Sequence, residues 1–263
     1  MFRLFKRWLG RSVEDRPFPP EWTDVLDRNV PLVQALPEDD RRELERLILA
    51  FIDDKTFEGA GGFEVSDEVR VTIAAQACVL LLHRDTEIYP ELDTVLVYPS
   101  TYVAKTKTHD GPVVIEGDVP RLGESWERGL VVLAWDAVRR GTANVEDGHN
   151  VVLHEFAHQL DQEDGTMDGA PDLGTTARYA TWARVLGEEY ADLVERVHRG
   201  RGSDIDRYGA TNPPEFFAVV TEMFFEKPAA LRARHPELYA AFADFYQQDP
   251  ESFARPAGPR AGA

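Results

Sequence analysis

Residues 154–158 read His-Glu-Phe-Ala-His. On a helix, positions i and i+4 lie about 40° apart in azimuth and one turn apart along the axis. His154 and His158 so placed can share one tetrahedral zinc ion at about 2.0–2.1 Å each. Glu155 sits on the flank of that stripe. It is poorly aimed as a ligand, but it can reach a water at the metal and accept its proton. The helix around the motif is apolar, with Val151, Val152 and Leu153 before it and Phe156, Ala157 and Leu160 within and after it. It should be buried, and imidazoles on a buried helix need partners.

A catalytic zinc takes three protein ligands and leaves a fourth position open. In the HExxHxxGxxH class the third ligand is a nearby histidine. Here Asp161 stands where that glycine would be and Asp164 where the histidine would be, which excludes the class. The alternative is a glutamate on a later helix. The segment 213–225 offers Glu215 and Glu222, seven residues apart and therefore on one face. Glu215, in the first turn, is the preferred third ligand. Glu222 is the other candidate, or else an acceptor for a histidine N–H. Asp161, one turn beyond His158, is a further residue that could orient a ligand. His149 reads as a cap or core residue. The acid-rich stretch 161–172 lacks EF-hand spacing and reads as a solvated loop beside the cleft.

The segments HEFAHQLD (154–161), DGHN (147–150) and YGATNPPEFFAV (208–219), with WDAV (135–138) and FYQQDP (245–250), resemble the Mlc titration factor A family of bacterial zinc peptidases. The likeness runs from the N-terminal helices to Pro250. The second of the long motifs is also similar to the metal-binding segment of anthrax lethal factor protease domains. The resemblance implies one Zn2+ per chain held by His154, His158 and Glu215, with Glu155 as general base and Tyr208 as a transition-state donor. It implies a zincin-like metallopeptidase, with an aminopeptidase among the forms that activity could take, and a cytoplasmic location. In some members it implies binding to the glucose-regulated repressor Mlc. Tyr208 rests on the resemblance alone, although Gly209 and an Asn212 cap would let the chain turn back toward the metal.

The elements that must position these residues form an α+β pattern. Residues 18–22 (FPPEW) read as an extended lead-in. A helix opens near Pro37, with Leu44, Leu47, Ile48, Phe51 and Ile52 at helical spacing. Residues 55–63 read as a turn-rich link. Ser66, Asp67 and Glu68 should cap an apolar core helix running to about Leu82. Short β-branched runs at 92–98, 112–116 and 130–135 read as strands of a small, mostly antiparallel sheet, with 130–134 as the cleft edge for an extended substrate. Helices follow at 150–160, 177–198, 213–225 and 235–247. We expect a single metallopeptidase domain over residues 1–250, with N-terminal helices at about 20–85, the sheet region at about 90–136 and the catalytic helices at about 148–248. A loose tail follows at 251–263.

Composition bounds the partners. The chain has 263 residues, enough for a real core, and a net charge of −18 from 29 basic and 47 acidic residues. That balance argues against nucleic acid and weakly favours cationic or neutral substrates; the zinc-site motif, not the charge, points to a peptide or protein substrate. The one cysteine, Cys78, lies in an apolar run, reads as a buried helix residue and permits no internal disulfide. No apolar run approaches the roughly 20 residues of a membrane span, and the basic start FRLFKRWLG reads as a docking turn, not a leader or a membrane anchor. Two functions from different classes fit: a zinc peptidase, and a regulatory protein that sequesters a repressor without needing hydrolysis.

Overall fold

Proline sets where several helices begin. In the computed structural model, which describes residues 16–253 except 101, 111–112, 122 and 127–128, α1 spans Pro20–Asn29 and α2 Pro31–Gln34, each with proline in its first turn. The lead-in is therefore not extended past Pro19: a proline ring pre-sets the φ that a first helical turn needs and removes only an N–H that has no partner there. Helix α3, Glu38–Asp54, opens with Glu38, Asp39 and Asp40, whose charges suit the positive end of the helix dipole. It buries Leu44, Leu47, Ile48 and Phe51. Helix α4, Asp67–Val79, is buried from Val71 onward. It ends three residues earlier than expected, and Ser66 makes no side-chain cap bond. The basic start and the last ten residues lie outside the described residues.

The sheet departs from expectation. Strand β1, Thr56–Gly59, pairs in parallel with β2, Thr94–Tyr98 (Thr56 opposite Thr94). Strand β2 pairs in parallel with β6, Leu130–Ala134 (Thr94 opposite Leu130). Strands β3, Tyr102–Asp110, and β4, Val113–Arg121, form a separate antiparallel ribbon. Strand β5, Gly123–Trp126, lies antiparallel on β6. The core is thus a three-strand parallel sheet, not a mostly antiparallel one. The reason is connection length: α4 lies between β1 and β2, and β3–β5 lie between β2 and β6, so each link is long enough to carry the chain back to the same end. One face is fully enclosed by Val95, Val97, Val131 and Leu133, and on β6 the other face is buried too, through Val132 and Ala134. Strand β6 sits between β2 and β5. It therefore has no open backbone edge, and the outer strand on that side, among the described residues, is β5.

Trp135 leaves β6 directly into α5, Trp135–Ala143, a helix the strand pattern concealed. The remaining helices are α6 (Val151–Asp161), α7 (Thr176–His198), α8 (Pro213–Glu226), α9 (Pro228–Arg234) and α10 (Pro236–Tyr246). Helix α6 packs on α8, α4 and α5, with β5 and β6 on another side. One continuous apolar cluster runs from Val25 to Tyr246. Phe216, Phe217, Phe224 and Phe225 all lie inside it. Cys78 is buried there too, and burial pushes its thiol well above the usual range, so it is a packing residue. Among the described residues no helix is long and apolar enough to cross a membrane.

Candidate metal centre

The HEFAH segment lies on α6. Asn150 starts that helix: its backbone is extended, and its Oδ1 accepts from the N–H groups of Val152 and Leu153, both at 3.1 Å. His149 is neither cap nor core. It is exposed, with Nε2 3.7 Å from Asp206. Helix α8 is capped in the same way, by Asn212 accepting from the Glu215 N–H at 2.9 Å. Both helices thus start with fixed frames, and they bring His154, His158 and Glu215 together.

One carboxylate oxygen of Glu215 lies 3.0 Å from His154 Nε2 and 3.5 Å from His158 Nε2. The two imidazole rings are 4.9 Å apart and nearly perpendicular. Ligand atoms of these three residues all lie within 4.8 Å of one another, and they are the one such group of His, Cys, Asp or Glu among the described residues. A tetrahedron with bonds of about 2.0–2.1 Å has edges of about 3.3–3.4 Å. The two N–O separations bracket that edge, so the donor set fits a zinc-sized ion.

Electrostatics without the ion point the same way. Burial alone would lower the His154 pKa, but its bonds to Glu215 and Glu222 raise it well above the ordinary value. Burial would raise Glu215, yet His154 and His158 hold its carboxyl far below the usual range. A cation in the cluster would take over the role of these protons.

Behind His154 stands Glu222, whose Oε1 accepts from Nδ1 at 2.7 Å. Its other oxygen accepts from the Asn150 backbone N–H. The Asn150 amide donates onward to Gln76 at 2.8 Å and Glu226 at 3.0 Å. This buried chain leads from α4 to the imidazole and fixes its ring face and tautomer. Asp161 does something other than orient a ligand: both its oxygens accept from the Gly169 N–H, at 3.0 and 2.9 Å. His158 Nδ1 is buried and makes no hydrogen bond with the described residues, so packing and Glu215 orient that ring.

Glu155 is buried and next in the chain to His154. Tyr208 is 52% exposed, with its ring centre 5.9 Å from that of His154. It stands on a short 3-10 turn, Arg207–Ala210, capped by Asp206, which accepts from the Tyr208 N–H at 2.7 Å. Gly209 is not in the left-handed region; it is buried, and a Cβ there would make ordinary contacts with Leu193, Phe216 and Val219. Sequence reasoning missed Asp206, Gln76 and Glu226. Nothing local marks them, because each acts on a residue far along the chain or through backbone.

Two capped helices thus bring a His-x-x-x-His pair and a glutamate together as a group that could hold a metal ion. The chain matches the glucose-regulated metallo-peptidase M90 family over residues 5–247, and it belongs to that family. Its relatives include an uncharacterized protein of Synechocystis sp., 44% identical over 245 residues that make up 92% of this chain and 89% of the relative. Mlc titration factor A of Serratia proteamaculans is 31% identical over 88% of this chain and 87% of its own length. That of Escherichia fergusonii is 29% identical over 92% and 91%.

Proposed function

We propose that the chain is a zinc peptidase in which His154, His158 and Glu215 hold the ion, Glu155 is the general base and Tyr208 the oxyanion donor. The observation that carries this reading is the meeting of two imidazole Nε2 atoms on one Glu215 oxygen at 3.0 and 3.5 Å. Zinc would supply Lewis acidity there, activating water near neutral pH and polarising the scissile carbonyl. Glu155 takes the proton of the attacking water and passes it to the leaving amine. Its buried setting beside His154 shields the carboxylate from bulk water and strengthens that transfer. Tyr208, half-exposed beside His154, donates its hydroxyl to the carbonyl oxygen as charge develops. Glu222 keeps the His154 Nδ1 proton occupied, so that Nε2 faces the centre. Peptides are the substrate class, with aminopeptidase-type cleavage the first form to assay. A cytoplasmic setting suits a chain with one buried thiol and no disulfide.

Metal analysis of the purified protein tests this. The expected result is about one zinc per chain, lost in His154→Ala, His158→Ala and Glu215→Ala but largely kept in Glu222→Ala. Full occupancy in Glu215→Ala with loss in Glu222→Ala would reverse the assignment of the third ligand. The relatives' printed name, Mlc titration factor A, supports a second role, sequestering a transcriptional repressor such as Mlc. A Glu155→Gln protein that still binds such a regulator would show that this role does not need hydrolysis.

A further inference from the structure

The acid-rich loop between α6 and α7 is exposed over residues 164–168, yet Gly169 within it is buried. Both of its backbone polar groups are spoken for. Its N–H donates to the two oxygens of Asp161, a side chain with no exposed surface. Its carbonyl accepts from Trp182 Nε1 at 2.9 Å. Trp182 is itself wedged in α7 by Phe242, stacked at 5.2 Å, and by Phe217 and Phe245. The glycine has φ +82°, and a Cβ there would stand 2.6 Å from the Pro213 carbonyl oxygen and 2.8 Å from its carbon. Asp161 comes three residues after His158. Pro213 comes two residues before Glu215. A merely solvated loop has no need to order a residue this tightly.

We propose that Gly169 is a positioning residue: clamped by Asp161 and Trp182 against Pro213, it sets the spacing between the helix bearing His154 and His158 and the helix bearing Glu215. The inference rests on the reading of those three residues as the metal site. The charge-assisted bonds from Asp161 tie the loop to the end of α6. Direct contact of Gly169 with the Pro213 backbone then fixes the first turn of α8. A backbone contact cannot swing aside as a side chain can, and metal–ligand distances tolerate only about 0.2 Å of error. A methyl at position 169 must displace Pro213, and Glu215 moves with it.

The test uses the full chain with Gly169→Ala, Asp161→Ala and Asp161→Asn, read by hydrogen exchange in metal-free protein and by zinc competition against a chelator. The first two variants should raise exchange within 212–216, at the amides of Asn212, Glu215 and Phe216 since Pro213 and Pro214 have none, while leaving α3 protected, and should weaken zinc by about 10- to 100-fold. Asp161→Asn, which keeps an acceptor oxygen, should recover most of both losses. If Gly169→Ala does not fold, the two Asp161 variants carry the test. A folded Asp161→Ala protein with unchanged exchange at 212–216, or with wild-type zinc affinity, overturns the proposal. So does a uniform rise in exchange over the whole chain with zinc affinity intact. Should the wild-type protein take no zinc, the metal reading fails, and the exchange at 212–216 alone decides whether the clamp holds α8.

Discussion

Glu155, next in the chain to His154, is buried, whereas Tyr208, its ring centre 5.9 Å from that of His154, is half in solvent, and that difference separates what their variants should do. Glu155→Gln keeps the shape and removes the base. It should retain zinc and lose peptidase rate by on the order of a hundredfold or more; near-normal turnover in metal-replete protein would sink the mechanism and leave repressor binding as the leading role. Tyr208→Phe should lower kcat by roughly ten- to a thousandfold, with KM and bound zinc barely changed, because its hydrogen bond strengthens only in the transition state. The ring is already half-exposed, so Tm should hold as well. An unchanged kcat would assign Tyr208 to packing, and lost zinc would make it a support for the site. The approach of His154 to His158 is legible because a helical period converts spacing into geometry. Tyr208 is not, since its approach to His154 depends on the Asp206-capped turn.

Asn150 joins elements as well as starting one. Its side chain caps α6 and donates to Gln76 of α4 and Glu226 of α8, while its backbone N–H holds Glu222. Asn150→Ala removes the cap and the amide donor that Gln76 and Glu226 share. It should cost about 2–4 kcal/mol in urea unfolding, with zinc largely kept as in Glu222→Ala. A loss below about 0.5 kcal/mol, the low end for a cap alone, would mean that the chain from α4 to His154 carries no load. The seven-residue spacing of Glu215 and Glu222 made their shared face readable before any fold was known. Gln76 was not readable, because a polar residue inside an apolar helix shows its partner only after α4 and α6 have met. The same limit hid the parallel sheet. Strand β1 (TFEG) has a single large apolar residue and lies among turn residues, and strand direction depends on connections, not on local pattern. Trp135 closes an apolar run that reads as strand, although the backbone turns helical there.

Across the molecule, burial pushes three carboxyls upward: Asp161 to about 6, Glu163 to about 7 and Glu226 to about 8, the last aided by the neighbouring charge of Glu222. Each holds its proton in the folded state at a pH where the unfolded chain has released it. Their contribution to stability is therefore full below about pH 4 and drains as pH rises through 6 to 8. His154, raised by its carboxylate partners, acts in the same sense: its share is complete below about 6.5 and is lost at higher pH. Glu215, depressed, adds stability above about 4.5 that is lost only in acid. Metal-free protein should thus melt at a lower temperature at pH 8.5 than at pH 6, and Glu226→Gln should narrow that gap. An equal gap in the variant would remove Glu226 from the account. Time enters through chain order. His154 and Glu215 are 61 positions apart, so at about 5–20 residues per second a ribosome makes the histidine pair some 3–12 s before the carboxylate. The imidazole pair is thus made before the oxygen donor, and by intrinsic affinity alone two imidazoles would favour copper over zinc. On the proposed ligand set, the three-donor shell is complete only once α8 has been made and has packed on α6.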